Sequence, residues 1–190
     1  MLDSDWSARP GAPELVERAK RVEAVEAAAW KACFDVAIGT DLGLKTARVG
    51  GATVMRVAKL PVGMFCKVIG LGMETPARPD DVAQILAWFG EAGVEDVWFQ
   101  ASPAAEPGGL LPLLDRSGVR PVAREWGQFV FGAEAPPDVE TDLEIREVGP
   151  EAAADFSRTV IAGFGLPAFT EPMIGALPGH GGWRTYVAYD

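Results

Sequence analysis

Apolar residues recur every three or four positions from Leu15 to Val36, and this spacing predicts a helix over about Glu14 to Val36. Leu15, Ala19, Val22, Val25, Ala29, Cys33 and Val36 fall on one stripe, the side expected to be buried. Glu14/Arg18 and Glu17/Arg21 stand at i,i+4 outside it. Glu26 interrupts the stripe, so it is expected either at the edge of the buried face or in a polar contact. Beyond Thr40 the pattern becomes that of strands. Lys45 to Val49 and Thr53 to Lys59 flank Gly50-Gly51, a pair that supplies the positive φ of a tight hairpin turn. Met64 to Leu71 is apolar on both faces apart from Lys67, which suits a central strand covered on both sides.

The next helix has readable ends. Pro79 suits its first turn, Asp80 and Asp81 complement the dipole, Val82, Ile85, Leu86 and Phe89 form its stripe, and Gly93 stops it. Asp96 to Ala101 reads as a strand, Gly109 to Ser117 as a short helix and Pro121 to Phe131 as a longer strand. This order predicts an α/β (α+β) fold, a mixed, mainly antiparallel central sheet flanked by helices. Pro and acidic residues in Gly132 to Asp142 mark a linker. Beyond it come a strand (LEIREV), a helix with Pro150 in its first turn, a Gly-Leu-Pro loop, a short helix near Glu171 to Leu177, and a terminal strand. In that strand Trp183, Thr185, Val187 and Tyr189 alternate with Arg184, Tyr186 and Ala188. The expected division is a first domain over 1–132, a linker over 133–141, and a second, incomplete domain over 142–190. At about fifty residues the latter is marginal even for a complete fold.

Charge sharpens this division. Residues 1–132 carry 14 Lys/Arg and 17 Asp/Glu, whereas residues 133–190 carry 3 and 10. The net charge of −10 disfavours a nucleic-acid partner, which calls for clustered Lys and Arg. No apolar run is long enough to span a membrane, and the opening MLDSDWSARPGAP is acidic and carries no secretory-signal pattern, so a cytoplasmic location is expected. Cys33 and Cys66 lack a CxxC spacing and read as buried thiols. His180 is the only histidine, which excludes a multi-histidine metal site and makes no metal the expectation. It reads as a solvated loop residue.

Two glycine-bearing turns lie between a strand and a helix. Gly70-Leu71-Gly72 would need its third dinucleotide-loop glycine at Thr75, and Glu74, Asp80 and Asp81 would face the phosphates, so it reads as plain sheet turn. Arg146 to Glu151 places Pro150 where an amide should donate and Glu151 where a small residue is needed, so it too is set aside.

The stretches FCKVIGLGMETP, VWFQASPAAEP, TDLEIREVGPEAAADFSRTVIAGFGLP and GWRTYVAYD, in this order, resemble the GNAT N-acetyltransferase superfamily in its tandem form, an arrangement of the mycothiol-synthase type. The resemblance implies a GNAT-like (acyl-CoA N-acyltransferase) first domain followed by a partial second GNAT unit. It implies acetyl transfer from acetyl-CoA to an amine acceptor, a small molecule or a protein. In the family the CoA pyrophosphate rests on backbone amides of a (Q/R)xxGx(G/A) loop between the fourth strand and the third helix. In the first domain that loop aligns with Met73 to Asp81, which has no glycine and carries acid, so the unit is expected to be degenerate. In the second it would lie beyond Asp190. The expectation is therefore a truncated, inactive form of a longer acetyltransferase, with acetyl-CoA used by the parent and none bound here. Catalytic acid and base stay unassigned, since both belong to later elements; Tyr186 and Tyr189 are read as packing residues. Phe164, Leu166 and Phe169, on the loop between the second unit's first two helices, are the residues the resemblance implies for shaping an acceptor pocket. The alternative is a non-catalytic binding or assembly module, with a homo-dimer formed through the exposed terminal strand.

Overall fold

The computed structural model describes residues 13–60, 63–102, 104–105, 109–121 and 140–190. The described residues fall into two compact units, one holding 13–31 and 45–121, the other 32–44 and 140–190. The strand predicted at Pro121 to Phe131 and most of the 133–141 linker lie outside the described residues.

Helix α1 (Pro13–Val36) forms as its periodicity requires, but a different side of it is buried. Glu23 is only 3% exposed and Phe34 is buried, whereas Val25, on the apolar stripe, is 68% exposed. At 3.6 residues per turn the buried line through Glu23, Trp30 and Phe34 is rotated by roughly a quarter turn from the Leu15–Val36 stripe. Glu17 pairs at 3.0 Å with Lys20 rather than with Arg21.

Strands β1 (Leu44–Val49), β2 (Ala52–Val57), β3 (Lys67–Ile69) and β4 (Trp98–Gln100) form a sheet in that spatial order. The first two are joined through Gly50 and Gly51, both with positive φ (55° and 81°), as a two-residue hairpin requires. β3 runs antiparallel to β2, with Met55 opposite Lys67, and parallel to β4, with Lys67 opposite Trp98. A parallel pair needs a crossover, here supplied by α2 (Pro79–Gly90). Only Lys67–Ile69 of the predicted third strand is extended, because Gly70, at φ 83°, turns the chain immediately afterwards.

Side chains alternate across this sheet. Val54, Cys66 and Val68 join Val82, Ile85 and Phe89 of α2 and Leu110, Leu113 and Leu114 of α3 (Leu110–Arg116) in one apolar core. Arg56 faces the same way. It stacks 4.1 Å over the Trp88 ring and donates to the Trp88 carbonyl, one of the acceptors left open in the last turn of α2. Met55, Lys67 and Ile69 point to the opposite face and are also buried.

In the second unit β5 (Glu144–Val148) and β6 (Thr185–Tyr189) pair antiparallel, Glu144 opposite Tyr189 through Val148 opposite Thr185. Between them a 3₁₀ turn (Pro150–Ala152) leads into α4 (Ala153–Phe164), which Gly165 ends in the left-handed conformation at φ 64°. A second 3₁₀ turn (Ala168–Thr170) leads into α5 (Glu171–Ile174). The core is small and partly polar. Ser157, Thr170 and Thr185 are buried beside Val148, Met173, Ile174 and Val187, and each hydroxyl donates to a backbone carbonyl.

The hairpin tip gives a direct check. A Cβ on Gly50 would meet the Asp81 side chain at 2.6 Å in addition to the cost of positive φ, whereas one on Gly51 finds its nearest neighbour at 3.5 Å. Gly50→Ala is expected to lose about 2 kcal/mol or more in urea unfolding and Gly51→Ala about 1 kcal/mol. Equal losses would contradict the packing of the tip on Asp81.

Candidate functional site

Lys67 concentrates the chemistry of the first unit. Its place in β3 turns its ammonium toward α1, where it lies 4.0 Å from the centroid of the Trp30 ring. That ring meets Phe65 edge to face at 6.0 Å. From β4, Gln100 Nε2 donates to Glu26 Oε2 at 2.8 Å and approaches both Glu23 carboxylate oxygens at 3.4 Å. The polar contact left open for Glu26 is therefore with Gln100. Lys67 keeps 8% of its surface exposed. Burial pulls its pKa below the ordinary lysine value, and the nearby Glu26 charge opposes that fall. The cluster gathers an ammonium, two carboxylates, an amide and an indole, with Lys67 and Glu23 buried. Periodicity flagged Glu26 and Lys67 only as misfits; Glu23, Trp30 and Gln100 carried no sequence signal.

The α2 entrance is the second concentration of charge. Asp81 turns back to accept the Arg78 backbone N–H at 2.9 Å, and its other oxygen accepts Arg78 Nη2 at 3.1 Å. The hydrogen bond from the Arg78 side chain, ahead of the other contributions, holds the Asp81 carboxyl below its usual range. Arg48 reaches Glu74 at 3.2 Å on the same approach. The backbone N–H at the entrance of this helix is thus taken by a carboxylate of the chain itself.

In the second unit Phe34 is buried, whereas Phe164 and Phe169 lie near the surface. Phe164 ends α4, Leu166 follows it, and Phe169 lies in the 3₁₀ turn before α5; Phe164 is 67% exposed, Phe169 50%, and Leu166 is half-buried. Tyr186 is exposed and donates to Glu147, correcting its reading as a packing residue, whereas half-buried Tyr189 reaches Asp155 Oδ2 at 3.4 Å. Arg184 grips Glu147 through Nε and Nη2. Glu151 accepts the Gly149 N–H at 2.8 Å, so this turn also carries its own anion. His180 lies exposed in a loop. Cys66 is buried and Cys33 half-buried, and desolvation raises both thiols, Cys33 to about 11. Among the described residues no group of three or more His, Cys, Asp and Glu side chains is placed to hold a metal ion, and no helix is long and apolar enough to cross a membrane.

Comparison with known proteins returned no matching family model, no matching curated protein and no matching solved structure.

Both charge clusters make pH-dependent predictions. The folded pKa of Lys67 lies below its unfolded value, so between the two the unfolded chain holds the extra proton and stability rises with pH. The advantage of the parent chain over Lys67→Met in urea is expected to grow from neutral pH toward about pH 10; a flat difference would contradict the burial of the ammonium. For Asp81 the shift has the opposite consequence. Its contribution is complete above the unfolded carboxylate pKa and is lost as pH falls through the lowered folded one. The destabilisation of Asp81→Asn is expected to be present at neutral pH and to shrink below about pH 4. A difference that grew in acid would contradict it.

Proposed function

We propose that this chain belongs to an acetyl-CoA-dependent N-acetyltransferase of the tandem GNAT kind, its first unit a degenerate, structural copy and its second the beginning of a catalytic one. The observation that carries the reading is the order and direction of the strands. In the first unit an antiparallel run passes through β3 and then, by way of α2, into the parallel strand β4. In the second, strand, helix, helix and strand close into an antiparallel pair. We read these two orders as the closing and opening portions of that fold. The α2 entrance supports a first unit that does not take up CoA, since Asp81 already occupies the Arg78 backbone N–H and guanidinium that a diphosphate would need.

On this reading Phe164, Leu166 and Phe169 form one wall of the acceptor pocket, and the acceptor is a small-molecule or protein amine. The strongly acidic balance of the chain favours encounter with a cationic acceptor. Acetyl transfer then proceeds by attack of the free amine on the thioester carbonyl, with a base taking the amine proton and an acid protonating the departing CoA thiolate.

Thermal unfolding with added acetyl-CoA tests the proposal. The 190-residue chain is expected to show no saturable stabilisation, and a chain continuing through the later strands of the second unit is expected to be stabilised in proportion to ligand occupancy. Saturable stabilisation of the 190-residue chain, or none in the longer one, would overturn the assignment of the two units.

A further inference from the structure

The free edge of β6 fits a second copy of itself. Along one edge β6 pairs with β5, and along the other it meets no strand among the described residues. A strand edge whose N–H and C=O groups meet no other strand is a template for pairing, and among the described residues this sheet has only two strands, a size that is marginal in water. The residues of this edge, Arg184-Thr185-Tyr186-Val187-Ala188-Tyr189-Asp190, begin with a cation and finish with an anion. When two copies run antiparallel about Val187, Arg184 of each lies opposite Asp190 of the other. Thr185 then lies opposite Tyr189, and Tyr186 opposite Ala188. Moving the register by two residues in either direction separates both charge pairs.

Faces agree with charges. Directly opposed residues of an antiparallel pair share a face, so this register continues the buried line of Thr185, Val187 and Tyr189 from one copy into the other. It also joins the outer faces, where Ile145, opposite Ala188, is 62% exposed and Tyr186, opposite Glu147, is 47% exposed. Arg184 uses Nε and Nη2 for Glu147, which leaves Nη1 for a second carboxylate. Glu147, Arg184 and Asp190 of the second copy then form a line of alternating charge.

We propose that the 190-residue chain forms a two-fold dimer through antiparallel pairing of β6 with β6, making a four-stranded sheet in the order β5-β6-β6-β5. The inference is independent of the acyl-transfer reading, which sets this edge against a later strand only in a longer chain.

Sedimentation equilibrium of the full 190 residues, from about micromolar to millimolar concentration, reads the dimerisation constant. A concentration-dependent dimer is expected. Arg184→Asp and Asp190→Arg each set like charges opposite one another twice, and each is expected to weaken the dimer by about tenfold or more. An equimolar mixture of the two is expected to recover affinity to within a few-fold of the parent, because every altered position then meets its opposite. Should Arg184→Asp fail to fold by circular dichroism, Asp190→Arg against Asp190→Glu decides: the first weakens the dimer and the second leaves it unchanged. A chain that stays monomeric throughout, variants that dimerise like the parent, or folded variants whose mixture shows no recovery would overturn the proposal.

Discussion

A lysine in the middle strand of a sheet must have its charge satisfied without bulk water, and the arrangement of the first unit follows from how Lys67 meets that demand. Its position in β3, between β2 and β4, holds the ammonium away from the apolar core shared with α2 and α3. On the other face stand the Trp30 ring and the Glu26 carboxylate. Both come from α1, four residues apart, so one side of one helix turn supplies them. Gln100, on the neighbouring strand, fixes Glu26 and approaches Glu23. The helix is thus oriented by a polar contact. Its most regular apolar stripe lies to the side of that contact, because an unpaired buried charge costs more than a few half-exposed valines and alanines.

Carboxylates also govern the helix entrances. At α2 the Asp81 side chain accepts the backbone N–H of Arg78, just before the helix, and before α4 Glu151 does the same for Gly149. Each satisfies a donor that the helix geometry would leave open. Each also puts negative charge where an anionic ligand would need positive potential. The two strand-to-helix turns that most resemble phosphate loops by position are therefore internally neutralised.

Much of the architecture was legible in the sequence because it is written in local signals. Gly50-Gly51 marked the hairpin through the positive φ that both residues adopt, and Pro79 with Asp80 and Asp81 marked the start of α2. Gly70 was visible too, but its turn ends β3 earlier than the apolar run suggested. What stayed hidden depends on contacts between distant residues. Glu26 pairs with a residue 74 positions away, so no window of the sequence could name its partner. Glu23 looked like an ordinary surface acid and is buried. Tyr186 alternated as a strand residue should, yet which face of a two-stranded sheet is covered depends on where α4 and α5 pack. Of the candidate pocket residues, Phe164 ends α4 and Phe169 lies in the 3₁₀ turn beyond it, and both are at least half in solvent.

The orientation of α1 over Lys67 is most directly read by proton NMR. Seated over the Trp30 ring, the ε-methylene protons of Lys67 are expected to be shifted upfield by the ring current and to show cross-relaxation with the indole, while the Val25 methyls show none to the sheet. Lysine ε-protons at their solvent position, with Val25 methyls in contact with Met55 or Ile69, would contradict the account.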